Sequence, residues 1–250
     1  MSEISKKKLL GITLSTSSKQ IILEKIEKYI SNPHGFFHIV SLNPEIMVLA
    51  EENPKFKKVI ETAQIKIVDG IGIVMAAQIL GIEVGSRLTG VDLMKKLVET
   101  ASFRRLRVML IGGKPNLAKN LAECYSEDFP EAKFKGIEGV KDIENPTASE
   151  ESAIFSIVAD MRPHIVFVSF GSPGQELWIE RHKKEFSNMV IMGVGGAFDF
   201  LGGKVPRAPM ILRRLGLEWF FRLMVQPWRW KRQLRLVKFA YLVFRQKTGI

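Results

Sequence analysis

The chain has 250 residues with 37 Lys and Arg against 26 Asp and Glu, a formal charge of +11, and the whole excess lies at one end: 204–250 holds twelve basic residues and one acid, Glu218, leaving 25 of each sign in 1–203. A chain of this length buries a full core as one domain or as one domain with an appendage, and the charge boundary favours the second, with a core unit over 1–203 and a basic appendage over 204–250. A hydrophobic content of 46% without low-complexity runs excludes a disordered chain, and the single cysteine, Cys124, excludes an internal disulfide. No CxxC or Cys/His cluster points to zinc, and the cysteine usage fits a reducing, cytoplasmic setting. The N-terminal MSEISKKKLLGITL has lysines but no apolar run long enough for a signal peptide. The longest apolar run of the tail, 239–244, falls far short of the roughly 20 residues a spanning helix needs, so a membrane-bound form would lie on the bilayer surface.

Along the chain, short β-rich runs alternate with longer helical patterns. LLGITL (9–14) reads as a strand and SKQIILEKIEKYI (18–30) as an amphipathic helix. FFHIVSL (36–42) is a second strand, stopping at Asn43-Pro44, where proline suits a first helical turn. The helices PEIMVLAEEN (44–53) and PKFKKVIETA (54–63) each open on Asn-Pro. IKIV (65–68) is a strand, GIGIVMAAQIL (70–80) starts a buried helix, and a Thr/Asp-rich start after RLTG opens VDLMKKLVETA (91–101). RVMLIGG (107–113) is the clearest buried strand, followed by the helix PNLAKNLAECYSEDF (115–129). KFKGIEG (133–139), HIVFVSF (164–170) and NMVIMGVGG (188–196) are further strands, with ESAIFSIVADM (151–161) and GQELWIERHKKEF (174–186) as helices between them. Six or seven strands, each followed by a helix, predict an α/β fold: a Rossmann-like, mainly parallel sheet with helices on both faces, plus a C-terminal basic amphipathic helical appendage.

In such sheets ligands sit outside the carboxyl ends of the strands. That rule gathers five loop ends onto one rim: 41–43, 69–72, 112–113, 169–175 and 193–199. Gly112-Gly113, Gly171-Ser172 and Gly195-Gly196 place small residues between strand and helix, where backbone N–H groups approach an anion closely. The alternative for each is tight turn geometry alone. None completes GxGxxG, and no acid follows at the spacing a dinucleotide fold expects, which argues against an NAD site. Asp69, flanked by Gly70 and Gly72, reads as a general base or a helix cap. Ser41 and Asn43 carry the same ambiguity. Arg87 pairs with a phosphate or merely with Asp92. Gln175 and Glu176 open a helix, where Glu is an ordinary first-turn residue. The four histidines show no ligand spacing, and there is no DxD to clamp a divalent cation, so neither metal nor cofactor is expected.

In the tail, Pro227 starts a helical pattern with Trp230, Leu234, Val237, Tyr241 and Phe244 on one stripe and Lys231, Arg235 and Lys238 beside it. Cationic amphipathic helices with boundary aromatics lie in membrane interfaces. A basic nucleotide- or nucleic-acid-binding module is the competing reading, and a core-packing helix with a solvated basic face is the third. The bulky apolar content of FFRLMVQPW, WRW and FAYLVF favours an anionic membrane surface over nucleic acid. An exposed apolar tail also tends to self-associate or fold back in water, which leaves a homo-oligomer open.

With these residues in place the chain resembles the WecG/TagA/CpsF family of bacterial glycosyltransferases over nearly its whole length. The likeness rests on SLNPEIMVLA, VDGIGIV, RLTGVDL, IGGKP, FGSPGQELW, GVGGAFDFLGGKVPRAP and LGLEWFFRLMVQPWRWKR, in order. The resemblance implies an inverting, metal-independent hexosyltransferase at the cytoplasmic face of the membrane, held there peripherally. It would move a sugar from a UDP-sugar donor to a polyprenyl-diphosphate-linked N-acetylglucosamine, in cell-envelope polysaccharide or teichoic acid synthesis. N-acetylmannosamine is the first expectation for the sugar, with its uronic acid or glucose as alternatives. The resemblance implies Asp69 as catalytic base, Asn43 positioning a sugar, and Ser41 supplying a hydroxyl where the family usually has Thr. Arg87 and Gln175 would contact the donor, and Asp199 would read the uracil or ribose. Arg222, Arg229 and Arg232 match an arginine pattern expected to close over a diphosphate. Gly174 departs from the family, standing where Lys is frequent.

Overall fold

The protein is described by a computed structural model over residues 8–203 and 205–249; the side chains of Arg214 and Arg229 lie outside the described set. Local sequence sets most helix starts. Helix α1 (Lys19–Ser31) is capped by Ser18, and strand β1 (Phe37–Leu42) follows. Helices α2 (Pro44–Glu52) and α3 (Pro54–Thr62) begin where Asn43 and Asn53 accept hydrogen bonds from Ile46 N and Phe56 N, both at 3.0 Å, with proline at the first helical position. Strand β2 (Ile65–Val68) leads into α4 (Ile71–Leu80), and Thr89 caps α5 (Gly90–Phe103). Then come β3 (Arg107–Gly112), α6 (Leu117–Asp128) and β4 (Lys133–Ile137). A capping box of Thr147 and Glu150 starts α7 (Ala148–Met161), followed by β5 (Ile165–Ser169), α8 (Gly174–Arg181) and β6 (Val190–Gly193).

All described strand pairs are parallel, and the six strands run in the order β2-β1-β6-β5-β3-β4. The α/β fold read from the sequence is thus the fold observed. Side chains alternate between two buried faces: Val108, Leu110, Ile165 and Phe167 pack on one side with α1, α5 and α6, while Met109, Ile111, Val166 and Val168 pack on the other with α7 and α8. Burial on both faces explains why the central strands read as continuous apolar runs. The edge strand β4 carries exposed Lys133 and Lys135, which discourage further pairing. The connection after β3 leaves towards β4 and that after β5 towards β6, in opposite directions, so a crevice opens at their carboxyl ends.

Two expectations are corrected. LLGITL does not join the sheet: Leu9 and Ile12 form one antiparallel bridge across a turn in which Leu10 and Gly11 take φ of 46° and 79°. Leu9 and Ile12 are nonetheless fully buried. The apolar run signalled burial, and the turn achieves it without sheet pairing. Helix α4 is not buried all round either. Ile73, Ala76 and Ala77 face the core, while Met75 and Ile79 stay exposed.

After β6 the chain crosses the carboxyl edge of the sheet as α9 (Ala197–Leu201), α10 (Met210–Arg214), α11 (Glu218–Val225), a 3-10 turn (Pro227–Arg229) and α12 (Trp230–Thr248). The basic amphipathic helix is present, and one face of it is core. Phe239, Leu242 and Val243 are buried in the same cluster as Leu9, Ile12, Ile46, Leu49 and Ala76. The stripe of Trp230, Leu234, Val237, Tyr241 and Phe244 is exposed. Ion pairs and hydrogen bonds fix the helix along its length: Arg232 and Arg235 to Glu45, Lys238 to Glu52, and Gln246 to Leu10 N and Lys8 O. Truncating Phe239 to Ala leaves a cavity in this cluster and costs about 3 kcal/mol. Urea unfolding will show a lower midpoint with an unchanged slope.

Candidate active site

Parallel register brings the first pair of site residues together. Leu42 of β1 lies opposite Val68 of β2, so the next residue of each strand, Asn43 and Asp69, emerge side by side. Asp69 N donates to Leu42 O at 2.9 Å and closes the pair. The five loop ends then surround a cleft of about 1350 Å³, lined among others by Ser41, Asn43, Asp69, Arg87, Gly113, Ser169, Gly171, Ser172, Gln175, Glu176, Gly195, Gly196 and Asp199. Arg222 and Arg232 line it from the tail side. Gly112 does not reach the cleft surface. With φ 86° it turns beneath Phe170, where an added Cβ would lie 2.5 Å from the ring.

Asp69 does not cap the helix that follows it. That position belongs to Gly70, which makes no side-chain cap bond. Instead Asp69 Oδ2 accepts from Gly90 N at 3.1 Å, at the N-terminus of α5. Gly90 permits the approach, since a Cβ there would sit 2.9 Å from Ser41 Oγ and 3.5 Å from Asp69 Oδ2. Ser41 Oγ is buried beside this carboxylate with no hydrogen-bond partner among the described residues. Asp69 keeps some accessible surface on the cleft, but the surrounding protein desolvates it and raises its pKa to about 6, against the pull of the Gly90 N–H. Asn43 spends its side-chain oxygen on capping α2. What it can offer a ligand is its NH2 group. Arg87 does not pair with Asp92. Its Nε donates to Asp69 O and its guanidinium to Arg213 O, both at 3.1 Å. Asp92 is taken by Thr89 and by Arg207 at 2.8 Å.

The glycine loops are fastened by a side chain. Gln175 Oε1 accepts from both Gly171 N and Gly195 N at 3.2 Å, and Gly113 N donates to Ser169 O. These N–H groups are occupied within the protein, so the cradle is shaped by a clasp across β5 and β6 rather than by free amides. The clasp is oriented by Glu176, whose Oε1 accepts from Gln175 Nε2 at 2.6 Å and from Ser172 Oγ at 2.9 Å. Burial lifts Glu176 to about 7, despite those two hydrogen bonds.

The tail supplies the facing wall. The Arg222 guanidinium rests on Gly196, where a Cβ would meet it at 2.4 Å, and lies over the Phe200 ring at 4.4 Å. It approaches Asp199 at 3.7 Å, and Lys114 approaches the same carboxylate at 3.6 Å, both longer than a hydrogen bond. Burial lowers the pKa of Arg222 against the attraction of Asp199. Arg232 forks onto Glu45 with two bonds of 2.8 Å. Sequence reasoning missed Glu45, because an acid in a first helical turn is already explained by the helix dipole. It also missed Arg207, which joins Asp92 to Glu218 at 3.2 Å. The lone acid of a basic tail was the signal that a cation sits beside it. The side chain of Arg229 lies outside the described residues. Among the described residues, no three His, Cys, Asp or Glu side chains converge as a metal site.

A model of the glycosyl transferase WecG/TagA/CpsF family matches residues 7–250. The chain belongs to this family. It is therefore a glycosyltransferase. It is similar to a Bacillus subtilis (strain 168) protein named N-acetylglucosaminyldiphosphoundecaprenol N-acetyl-beta-D-mannosaminyltransferase, 33% identical over 240 residues, covering 96% of this chain and 91% of the relative. A protein of the same name from Staphylococcus aureus (strain NCTC 8325) is 29% identical over 253 residues, covering 100% of this chain and 96% of the relative. Gly174, the departure noted above, faces Ile143, and a Cβ there would lie 2.9 Å from it. The lysines that line the cleft are Lys114, Lys141 and Lys247.

The raised pKa of Asp69 has a sign that stability measurements will read. The folded state holds the proton more tightly than the unfolded chain, whose carboxyl titrates near 3.8. Stability from this group is therefore full below about pH 4 and lost as pH rises through about 6. Asp69→Asn removes the loss, stabilising the protein at pH 8 by up to about 2 kcal/mol after screening by cleft water, with little effect at pH 4. Thermal melts of both proteins across this range will show the curves converging on the acid side.

Proposed function

We propose that this enzyme moves N-acetylmannosamine from UDP-N-acetylmannosamine to an N-acetylglucosamine carried on a polyprenyl diphosphate, with inversion and without a metal. The observation that carries the reading is the pairing of a desolvated carboxylate, Asp69, with a facing wall of arginines in one cleft. The names of the relatives supply the sugar and the acceptor.

Ionised Asp69 takes the proton of the acceptor hydroxyl as that oxygen attacks the anomeric carbon. The bond to UDP breaks on the opposite face, which inverts the configuration. Ser41 and Asn43, beside the base, orient the sugar. The leaving diphosphate gains negative charge, and Arg222 and Arg232 stabilise it in place of a cation. Asp199, held between Lys114 and Arg222, reads the nucleoside. We place the enzyme peripherally on the cytoplasmic face of a membrane; the exposed stripe of α12 and exposed Trp219, Phe220 and Trp228 support the membrane contact. No helix among the described residues is long and apolar enough to cross a membrane.

Transfer of radiolabel from a panel of UDP-sugars to a short-chain prenyl-diphosphate N-acetylglucosamine tests the assignment. N-acetylmannosamine is the sugar expected, and preferential transfer of glucose or of the uronic acid would overturn it. Asp69→Asn will lower kcat by about 10²- to 10⁴-fold, while UDP still raises the Tm. In the unaltered enzyme the acid limb of kcat/KM will fall away below about pH 6, where Asp69 takes up its proton.

A further inference from the structure

One part of the cleft is lined by apolar side chains and is not suited to a nucleotide sugar. Beyond Asp69 and Arg232 it continues as a trough between α4 and α12, and its walls become apolar. Helix α4 contributes Ile71, Met75 and Ile79, spaced four apart on one face, with Met75 55% and Ile79 50% exposed. Helix α12 contributes Leu236, Ala240 and Phe244 at the same spacing, backed by Phe239 and Val243. From Arg232 to Lys247 the α12 wall is about 22 Å long at 1.5 Å per residue. The cleft volume of about 1350 Å³ exceeds the roughly 300–1,000 Å³ of an ordinary small-ligand site. Both walls are secured. Glu45 and Glu52 of α2 hold Arg232, Arg235 and Lys238, and Lys8 and Leu10 hold Gln246 at the far end.

The order of surfaces along this path is a carboxylate with polar neighbours, then arginine, then hydrocarbon. A peptide or a second nucleotide laid in the apolar part would bury polar groups against carbon, at a cost of kilocalories for each unmade hydrogen bond. An unbranched or methyl-branched hydrocarbon has none to lose. We propose that the trough between α4 and α12 binds the first isoprene units of the lipid-linked acceptor. The enzyme then reads the chain next to the diphosphate as well as the sugar. This rests on the acceptor assignment made above. It differs from membrane contact, because Leu234, Val237 and Tyr241 of the outward stripe do not line the trough.

Two water-soluble acceptors separate the cases without a bilayer: N-acetylglucosamine diphosphate bearing one isoprene unit and the same compound bearing three. For the unaltered full-length enzyme, the three-unit acceptor is expected to have a KM about tenfold lower. Met75→Glu, which places a charge in the trough, and Ala240→Trp, which fills it, should bring the ratio of the two KM values to about one. Val237→Glu, on the outward stripe, should leave the ratio as it was. A ratio of one in the unaltered enzyme overturns the trough assignment, as does a ratio that survives both trough variants or is lost equally in Val237→Glu. A different result marks failure of the underlying reading. If neither acceptor takes sugar from any UDP-sugar while UDP still raises the Tm, the acceptor itself is wrong, and the trough assignment falls with it.

Discussion

The burial of Phe239, Leu242 and Val243 against α2 and α4 is the contact on which the rest of the cleft depends. It turns a basic C-terminal segment into one wall of the cleft at the carboxyl ends of the strands. Its driving force is apolar area removed from water, which has no direction of its own. Direction comes from charge. The core unit is electrically balanced and the tail is not, yet across their contact five tail cations meet core acids: Arg207 with Asp92, Arg222 near Asp199, Arg232 and Arg235 with Glu45, Lys238 with Glu52. Such pairs contribute little singly at a surface. Together the three on α12 select one register of that helix on α2, and all five relieve part of the repulsion among the tail's cations.

The site concentrates unfavourable ionisation. Asp69 and Glu176 are both pushed up by burial, and Arg222 is pushed down. Groups perturbed in this way cluster where chemistry is done, since a base with a pKa near the working pH is the most effective. The two carboxyls have separate tasks. Asp69 faces the cleft with only one backbone N–H, whereas Glu176 lies beneath it and orients Gln175, whose oxygen ties the Gly171 and Gly195 loops. Arg222 lies on Gly196 near a carboxylate too distant for a hydrogen bond.

Much of this was legible in sequence, for identifiable reasons. The strands were continuous apolar runs because both faces of a parallel sheet are covered, and the helix starts carried Asn-Pro and Thr caps. Asp69, Asn43 and Ser41 come together on the cleft because they lie at strand ends, and a parallel sheet gathers such ends on one edge. Misreadings arose where one signal served two outcomes. LLGITL is apolar because it is buried, yet it forms a turn. Met75 and Ile79 are apolar, yet they line an open trough. Arg87 and Asp92 are close in sequence, yet Arg207, far along the chain, takes Asp92.

The amino-acid sequence by itself determined the layered α/β architecture, the rim on which the candidate residues lie, and the family, because periodicity, caps and motifs are local properties. Only the tertiary structure decided how the tail packs. Its twelve cations and its apolar stripe are equally compatible with a free membrane anchor, a nucleic-acid arm or a packed helix. Which face of α12 is buried depends on the shape of α2 and α4 against it, and on Glu45 and Glu52 being about 190 residues away in sequence but adjacent in space. That long-range contact brings Arg232 into the cleft that Asp69 lines and sets α12 beside α4.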